Sequence, residues 1–201
     1  DNRYYIQRIY SATDECGHTT SQTQTITVYD NIAPTISALP ATSIIECPAS
    51  PVFAVPTATD NCTAPLASFT SHDVTTPGCG SSYSVTRTWT AVDACGNTST
   101  ASQTINVEDH TAPVLSACPP SVTLSACTPT YSWTAPTAID ACGSSFTITR
   151  SGPASGSTFA NNSSTLITYT ATDACGNASS CSFTVTRRAA LTLNSGVDEA
   201  T

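Results

Sequence analysis

Lysine and methionine are absent from this sequence, histidine occurs three times, and charged residues make up only 10% of the chain. Without lysine there is no lysine nucleophile, Schiff base, P-loop or lysine–asparagine crosslink. The six arginines are scattered and form no basic patch, which excludes a nucleic-acid partner. No apolar run approaches the roughly 18–20 residues of a membrane span, so we expect no membrane insertion by this segment. With three histidines and no recognisable catalytic motif, we predict that the protein is not an enzyme.

Small hydroxyl residues and cysteines are abundant instead. The 201 residues include 37 threonines, 27 serines and ten cysteines, and the net charge is −8. This cysteine content is typical of exported proteins, in which disulfides persist. Thirteen prolines spread along the chain argue against long helices. We therefore predict an extracellular or cell-surface location and a fold stabilised by disulfides.

Three sequence patterns recur with a period of about 80 residues, which indicates a tandem repeat. The matching segments are residues 10–18, 89–97 and 169–177; residues 56–62 and 136–142; and residues 30–34 and 109–113. The period predicts an incomplete repeat at 1–33, complete repeats at 34–112 and 113–188, and a linker, tail or first part of another element at 189–201.

Within each repeat the hydrophobic pattern is that of strands. Ser84–Val92 and Gln103–Glu108 alternate and are rich in β-branched residues. Residues 93–97, between them, contain a glycine suited to a turn, so each repeat is predicted to end in a β-hairpin. Short strands in a unit of about 80 residues favour an all-β fold of tandem immunoglobulin-like sandwiches.

These segments resemble the hyalin-type (HYR and HYR-like) immunoglobulin-fold repeats. The similarity lies in the Ala-Pro that opens each repeat, the Pro-x-Ala-x-Asp-x-Cys segment, and the aromatic-Thr/Ser-Ala-x-Asp-x-Cys-Gly hairpin. Such repeats occur in large surface adhesins, notably of Bacteroidetes-type bacteria. The resemblance implies an extracellular adhesin or stalk, without catalysis and with no required cofactor.

The resemblance also implies disulfide pairs. It pairs Cys118 with Cys181, and it favours Cys47–Cys62 with Cys79–Cys95. A second connectivity, Cys47–Cys95 with Cys62–Cys79, stays open because it would join neighbouring loops at each end of a sandwich. The remaining assignments are Cys127 and Cys142 as further disulfide candidates, and Cys16 and Cys175 as unpaired or intermolecular cysteines. No CxxC pair is present, so zinc is not expected.

Aspartates recur at the turns and at the boundaries between repeats. The positions are Asp30, Asp60, Asp93, Asp109, Asp140 and Asp173. Carboxylates at such boundaries are suitable ligands for Ca²⁺, and calcium is the one cofactor that the pattern suggests. The alternative is structural, since aspartate before a turn commonly accepts backbone N–H groups in an Asx turn.

Two further functions stay open. Residues 1–33 would be two strands without the rest of their domain, and their unpaired edges could complete a neighbour and form an extracellular filament. The chain could instead be a carbohydrate-binding module that presents Tyr4, Tyr5, Tyr29 or Tyr131. The expected partners are therefore neighbouring repeats, copies of the chain, and surface glycans or proteins.

Overall fold

The structure is a computed structural model and describes residues 4–62, 65–143 and 145–189. These residues form fourteen strands and no helix. The prediction of an all-β, disulfide-stapled fold of immunoglobulin-like sandwiches is confirmed. The linker or tail predicted at residues 189–201 lies outside the described residues, except for Ala189.

The chain divides into two compact units. Unit 1 comprises residues 1–45, 49–77 and 83–107, and unit 2 comprises residues 46–48, 78–82 and 108–201. This division does not follow the predicted repeat boundaries. Two short segments of the first repeat, residues 46–48 and 78–82, belong to unit 2, and each of them contains a cysteine.

Unit 1 contains three sheets. Its strands are β1 (Tyr4–Thr13), β2 (Thr19–Val28), β3 (Thr35–Ile36), β4 (Ser43–Glu46), β5 (Ala58–Thr59), β6 (Ser68–Pro77), β7 (Tyr83–Val92) and β8 (Thr98–Glu108). β1 pairs with β2, and β3 pairs with β5, both antiparallel. The remaining strands form a four-stranded sheet in the order β4-β8-β7-β6.

The alternation of β7 places its apolar residues in the core of unit 1. Val85 and Trp89 are buried on one face of the strand. Arg87 shares this face and is accommodated by two contacts: its guanidinium lies 4.4 Å from the centre of the Phe53 ring, and its Nε donates to Asp73 at 2.7 Å. The aromatic ring and the carboxylate thus balance a charge that is one-third exposed.

Unit 2 contains two sheets. Its strands are β9 (Val114–Leu115), β10 (Val122–Leu124), β11 (Ala138–Ile139), β12 (Phe146–Ser151), β13 (Ser163–Asp173) and β14 (Ala178–Arg187). β9 pairs with β11, and the others form a sheet in the order β10-β14-β13-β12, in which only the β10–β14 pair is parallel.

The core of unit 2 is centred on alternate residues of β13 and β14, with one residue from β10 and one from the loop before β13. Its buried members are Leu124, Phe159, Ile167, Tyr169, Phe183 and Val185. Trp133 packs edge-on against Phe183 and donates its indole N–H to the hydroxyl of Tyr169 at 2.8 Å. The hydrogen bond satisfies the polar ends of both rings inside an otherwise apolar core.

The predicted hairpins are present at the end of each repeat. β7–β8 and β13–β14 are antiparallel, and β1–β2 is the counterpart hairpin of the incomplete repeat. Gly17, Gly96 and Gly176 have φ between 83° and 90° in the three turns. Only glycine adopts this backbone readily, which explains why the turn sequence repeats.

Candidate functional site

Three disulfides are present, and all lie in unit 2. Cys118 is bonded to Cys181, the pair that the family resemblance implied. Cys47 is bonded to Cys142 and Cys79 to Cys175, with Cα–Cα distances of 5.3 and 5.0 Å. These distances lie within the usual range for disulfides. The last two bonds connect cysteines that are 95 and 96 residues apart in the sequence.

Both connectivities considered for the first repeat differ from the structure. Neither Cys47–Cys62 with Cys79–Cys95 nor Cys47–Cys95 with Cys62–Cys79 is present, and Cys175, expected to be unpaired, is bonded. The reason is that the segments carrying Cys47 and Cys79 pack within unit 2, where their nearest cysteines belong to the second repeat. The free cysteines are Cys16, Cys62, Cys95 and Cys127. Of these, only Cys16 was expected to be unpaired.

The segment that carries Cys47 is fixed by main-chain and side-chain hydrogen bonds. Cys47 donates its backbone N–H to the carbonyl of Glu108 at 3.0 Å. The neighbouring carboxylate of Glu46 accepts the backbone N–H of His110 and the hydroxyl of Thr111, both at 2.9 Å. These bonds lower the pKa of Glu46 below its usual value. Glu46 was not singled out from the sequence, because its partners are distant from it along the chain.

The segment that carries Cys79 is a tight loop packed against the second repeat. Gly78 N–H donates to Ser82 and Ser82 N–H to Cys79, each at 2.8 Å. A Cβ added to Gly80 would lie 3.4 Å from the Cβ of Ala174, and one added to Gly143 only 2.6 Å from Ser81 Oγ. The Ser81 side chain would therefore have to move to admit a side chain at position 143, whereas the Gly80 contact is an ordinary van der Waals distance.

All six aspartates predicted as ligands form Asx turns. In each of them Oδ1 accepts the backbone N–H of the residue two positions later, at 2.8–3.1 Å. The pairs are Asp30–Ile32, Asp60–Cys62, Asp93–Cys95, Asp109–Thr111, Asp140–Cys142 and Asp173–Cys175. The structural interpretation of these aspartates therefore holds, and it leaves the second carboxylate oxygen of each for other contacts.

In unit 2 three of these aspartates converge. Asp109, Asp140 and Asp173 each place an oxygen within 4.8 Å of the others. Asp140 Oδ2 is buried and accepts no hydrogen bond. Among the described residues, the only ion pair between an arginine and a carboxylate joins Arg87 to Asp73. No described arginine therefore pairs with the three aspartates of this cluster. Carboxylates held this close favour a cation between them.

The counterpart cluster in unit 1 includes a thiol. Oxygens of Asp30 and Asp60 lie within 4.8 Å of each other and of Cys62 Sγ, and Asp60 Oδ2 is buried without a partner. A hydrogen bond from the Cys62 thiol lowers the pKa of Asp30. The same hydrogen bond, together with burial, raises the pKa of Cys62 to about 11. At neutral pH the cysteine is therefore a protonated thiol of low reactivity.

Two asparagines outside the predicted site residues connect the hairpin turns to the repeat boundaries. Asn97 Nδ2 donates to Asp93 Oδ2 at 2.7 Å and to the carbonyl of Asp30 at 3.2 Å. Asn177 makes the same bonds with Asp173 and Asp109, both at 2.9 Å. Their recurrence at the repeat period, directly after the turn glycine, was the available signal.

Burial raises the pKa values of Asp93 and Asp173, but hydrogen bonds from the following turn outweigh it. The donors are the side chain and backbone of Asn97 or Asn177 and the backbone N–H groups of the intervening cysteine and glycine. The net result is a pKa below the usual value for both carboxyls. They stay ionised at neutral pH and hold the turns together.

Family models match both complete repeats. Residues 108–187 match the HYR domain, and residues 35–107 match the HYR-like domain with 4 cysteines. The chain carries two HYR-type domains in tandem. The four cysteines of the first HYR-type domain are Cys47, Cys62, Cys79 and Cys95, and two of them form their disulfides with the second domain.

Several solved structures resemble this tandem at low identity. "Protocadherin Gamma B2 extracellular cadherin domains 1-5" is 16% identical over 93% of this chain and 45% of that chain, with a TM-score of 0.37. "Crystal Structure of Protocadherin Gamma C5 EC1-3" is 13% identical over 90% and 77%, also with a TM-score of 0.37. "Crystal structure of human Desmocollin-1 ectodomain" is 13% identical over 91% and 47%, with a TM-score of 0.32. The HYR-type tandem thus spans less than half of the first and third structures.

The comparison with curated proteins gave no significant match. In the part of the chain that the structure describes, no helix is long and apolar enough to cross a membrane.

Proposed function

We propose that this HYR-type tandem is a segment of an extracellular repeat protein that acts as an adhesin or stalk on a cell surface. The observation that carries the proposal is that two HYR-type domains follow each other and are connected by disulfides between their sequences. Disulfides persist in oxidising compartments, which supports an extracellular location. HYR-type repeats occur in large surface adhesins, and the match to such repeats supports the placement on a cell surface.

The disulfides suit a protein that carries load. The shortest covalent route from Cys47 to Cys181 passes through the bonded partners Cys142 and Cys118. When force is applied between Cys47 and Cys181, the two disulfides carry it past the rest of the chain, and only residues 118–142 can be stretched. A pulling force that unfolds the domains would lengthen the chain very little between these cysteines.

Single-molecule stretching from both termini tests the stalk role. At about 3.5 Å per residue, reduction of the disulfides should add roughly 35–40 nm to the extended length. A double variant, Cys118→Ser with Cys181→Ser, is the matched control, because the two remaining disulfides should still prevent most of that increase until they are reduced. Equal lengths before and after reduction would contradict the load-bearing role.

Adhesion requires a separate experiment. Beads coated with the oxidised chain should cluster or attach to protein-coated surfaces, and reduction should abolish the attachment. A glycan array tests the carbohydrate-binding alternative. Tyr4, Tyr5 and Tyr29 are 58–65% exposed, whereas Tyr131 packs against Trp133 with ring centres 5.6 Å apart. Glycan binding that is lost in Tyr4→Ala or Tyr5→Ala, without any bead attachment, would favour the carbohydrate-binding function.

The hairpin β1–β2 favours filament assembly as the second candidate function. Every residue of β1 is exposed, including Ile9 at 70%, and strands with free edges can add to a neighbour. The mass of the native polypeptide under reducing, denaturing conditions distinguishes the two functions. A mass many times that of these 201 residues would support a long adhesin. A mass near 20.7 kDa with concentration-dependent polymers would support the filament.

The acidic clusters lead to a calcium proposal as well. Oxygens of Asp109, Asp140 and Asp173 lie within 4.8 Å of one another, a separation that suits oxygen ligands on one Ca²⁺ at about 2.3–2.6 Å. The buried, unpartnered Oδ2 atom of Asp140 supports this fit, because a buried charged oxygen without a partner is costly. A bound ion would supply positive charge to the cluster.

A thermal denaturation series tests the calcium proposal. Ca²⁺ at about 100 times its dissociation constant should stabilise the fold by about 2.7 kcal/mol, and Mg²⁺ should have a smaller effect. Asp140→Asn keeps the oxygen that accepts the turn N–H and removes the charge, so it should abolish the shift. Asp73→Asn is the matched control, because Asp73 pairs with Arg87 outside the cluster. A wild-type melting temperature that is the same in Ca²⁺ and in chelator would overturn the proposal.

A further inference from the structure

The two units contain corresponding cysteines, which are disulfide-bonded in unit 2 and free in unit 1. Cys62 and Cys95 are the counterparts of Cys142 and Cys175 at the repeat spacing. In unit 2 both counterparts are bonded. In unit 1 Cys62 and Cys95 are free and half-buried. The repeat therefore predicts two disulfide partners for unit 1 that the described residues do not provide.

The space beside these cysteines also differs. In unit 2 the loop of residues 78–82 packs beside Cys175, and the remaining cavity, lined by Gly80, Ser81, Asp140 and Asp173, has a volume of only about 10 Å³. In unit 1 a groove of about 520 Å³ adjoins Asp30, Asn61 and Cys62. A second groove of about 380 Å³ adjoins Thr27, Asp30 and Cys95. Unit 1 thus has open grooves beside Cys62 and Cys95. At the corresponding places in unit 2 lie the segments that carry Cys47 and Cys79.

The hairpin β1–β2 likewise has an uncovered apolar face. Ile6 and Tyr10 are the counterparts of Val85 and Trp89 at the repeat spacing. Val85 and Trp89 are 8% and 6% exposed in the core, whereas Ile6 and Tyr10 are 42% and 55% exposed. One HYR-type segment, the counterpart of residues 34–82, would cover this face and bring two cysteine loops to the grooves.

We propose that Cys62 and Cys95, with the grooves beside them, form a docking site for the first part of another HYR-type repeat, whose last hairpin is β1–β2. This segment has the chemistry of residues 34–82, which carry three cysteines. The two that matter here lie in loops at the places of Cys47 and Cys79. Its first loop cysteine bonds to Cys62 and its second to Cys95. The proposal concerns a binding site and does not depend on an adhesive role.

A second copy of this chain fits the site less well. Cys127 is the counterpart of Cys47, but the counterpart of Cys79 in the second repeat is Phe159, which is 2% exposed in the core. A second copy would therefore offer one loop cysteine instead of two. Two disulfides require a segment of the first repeat's type.

Formation of the two bonds requires an oxidant. Each bond joins two thiols, which lose two protons and two electrons, and a small disulfide such as oxidised glutathione takes up both and becomes two thiols. The reaction proceeds by thiol–disulfide exchange. The Cys62 thiol lies within 4.8 Å of an Asp30 oxygen and has a raised pKa, so it reacts slowly by itself. The mixed disulfide therefore forms first on the loop cysteine, and Cys62 attacks it once docking has brought the two together.

An extended chain tests the proposal. A copy of residues 34–82, in which serine replaces the cysteine at the place of Cys62 so that two cysteines are added, is joined directly before Tyr4, the counterpart of Tyr83. The protein is then refolded with reduced and oxidised glutathione. The number of free thiols should fall from the natural four to two, namely Cys16 and Cys127. Peptide mapping without reduction should identify the added Cys47 copy linked to Cys62 and the added Cys79 copy linked to Cys95.

The matched control is the same extended chain with serine at both added cysteines, in which Cys62 and Cys95 should stay free. A Cys62–Cys95 bond, or a bond between the two added cysteines, would overturn the proposal. A link from Cys127 of one molecule to Cys62 of another would identify a second copy as the occupant and overturn it as well.

A test on the natural chain does not require the extended protein to fold. Peptides of residues 43–49 and 75–83, activated as mixed disulfides, are incubated with the folded chain. The first should attach to Cys62 and the second to Cys95, several-fold faster than to the more exposed Cys16 and Cys127. Attachment that follows exposure alone would exclude a docking site.

Discussion

Cys79 is bonded to Cys175, so that two residues 96 positions apart have Cα atoms 5.0 Å apart. This bond closes a large loop, and in the chain-entropy account a large loop loses more freedom in the unfolded state than a small one. The bond also holds the loop of residues 78–82 against the second repeat. Both effects make it a principal source of stability for unit 2.

Removal of this bond should therefore destabilise the protein. For the double variant Cys79→Ser with Cys175→Ser, we expect the free energy of unfolding in guanidinium chloride to fall by about 2–4 kcal/mol. Cys127→Ser is the matched control, because Cys127 is exposed and unpaired, and its stability should change by less than about 0.5 kcal/mol. Equal stability of the double variant and the control would contradict the disulfide assignment.

The reactivity of Cys62 should depend on Asp30. The hydrogen bond to Asp30 raises the pKa of Cys62 to about 11, so Asp30→Asn should lower this pKa towards the usual value. At pH 8 the thiolate fraction then rises, and alkylation of Cys62 by iodoacetamide should become about tenfold faster. Quantitative mass spectrometry follows Cys62, with Cys127 of the same molecule as the reference. A ratio of the two rates that Asp30→Asn leaves unchanged would show that Asp30 does not control this thiol.

Acid should destabilise the hairpin turn through Asp173. Hydrogen bonds outweigh burial and lower the pKa of this carboxyl. Its contribution to stability is present above the unfolded pKa of about 3.9 and is lost as the pH falls through the lower folded pKa. In Asp173→Asn the loss of stability between pH 5 and pH 2 should be smaller than in the wild type. Urea denaturation across this range measures the difference.

Glu15→Gln is the control for this series. Glu15 is an exposed residue in the turn of the β1–β2 hairpin, and its variant should follow the wild-type pH dependence. Parallel curves for the wild type and Asp173→Asn would exclude Asp173 as a source of the acid sensitivity.

Phe159 should be essential to the core of unit 2. It is 2% exposed among Ile167, Phe183 and Val185, so Phe159→Ala leaves a cavity and should cost about 3–5 kcal/mol of unfolding free energy. Val114→Ala is the control, because Val114 is 64% exposed. Calorimetric melting of both variants tests the prediction, and similar losses in the two would show that Phe159 is not a core residue.

Much of the local structure was predictable from the sequence. Val85, Arg87, Trp89 and Ala91 recur with a period of two, which a strand and not a helix places on one face. Gly96 has the positive φ that its turn requires. Each of the six aspartates accepts a hydrogen bond from the backbone N–H of the residue two positions later. This contact is local and needs no tertiary structure. For the same reason the repeat period alone located the hairpins and the acidic positions.

The cysteine partners were not predictable in this way. A disulfide requires Cα atoms about 5–6 Å apart, and the sequence contains no distances. Cysteines that are neighbours within one repeat were expected to meet, but the segments of Cys47 and Cys79 pack with the second repeat. The contacts of Glu46 with His110 and of Asn97 with the carbonyl of Asp30 were missed for the same reason.

The sequence by itself determined the all-β class, the repeat period, the hairpins and the Asx turns, because each depends on local residue patterns along the chain. Only the tertiary structure decided which cysteines are bonded, which aspartates converge and which apolar residues of β1 stay exposed. These features depend on how segments that are far apart in the sequence pack together, and packing is set by the whole chain rather than by any local pattern.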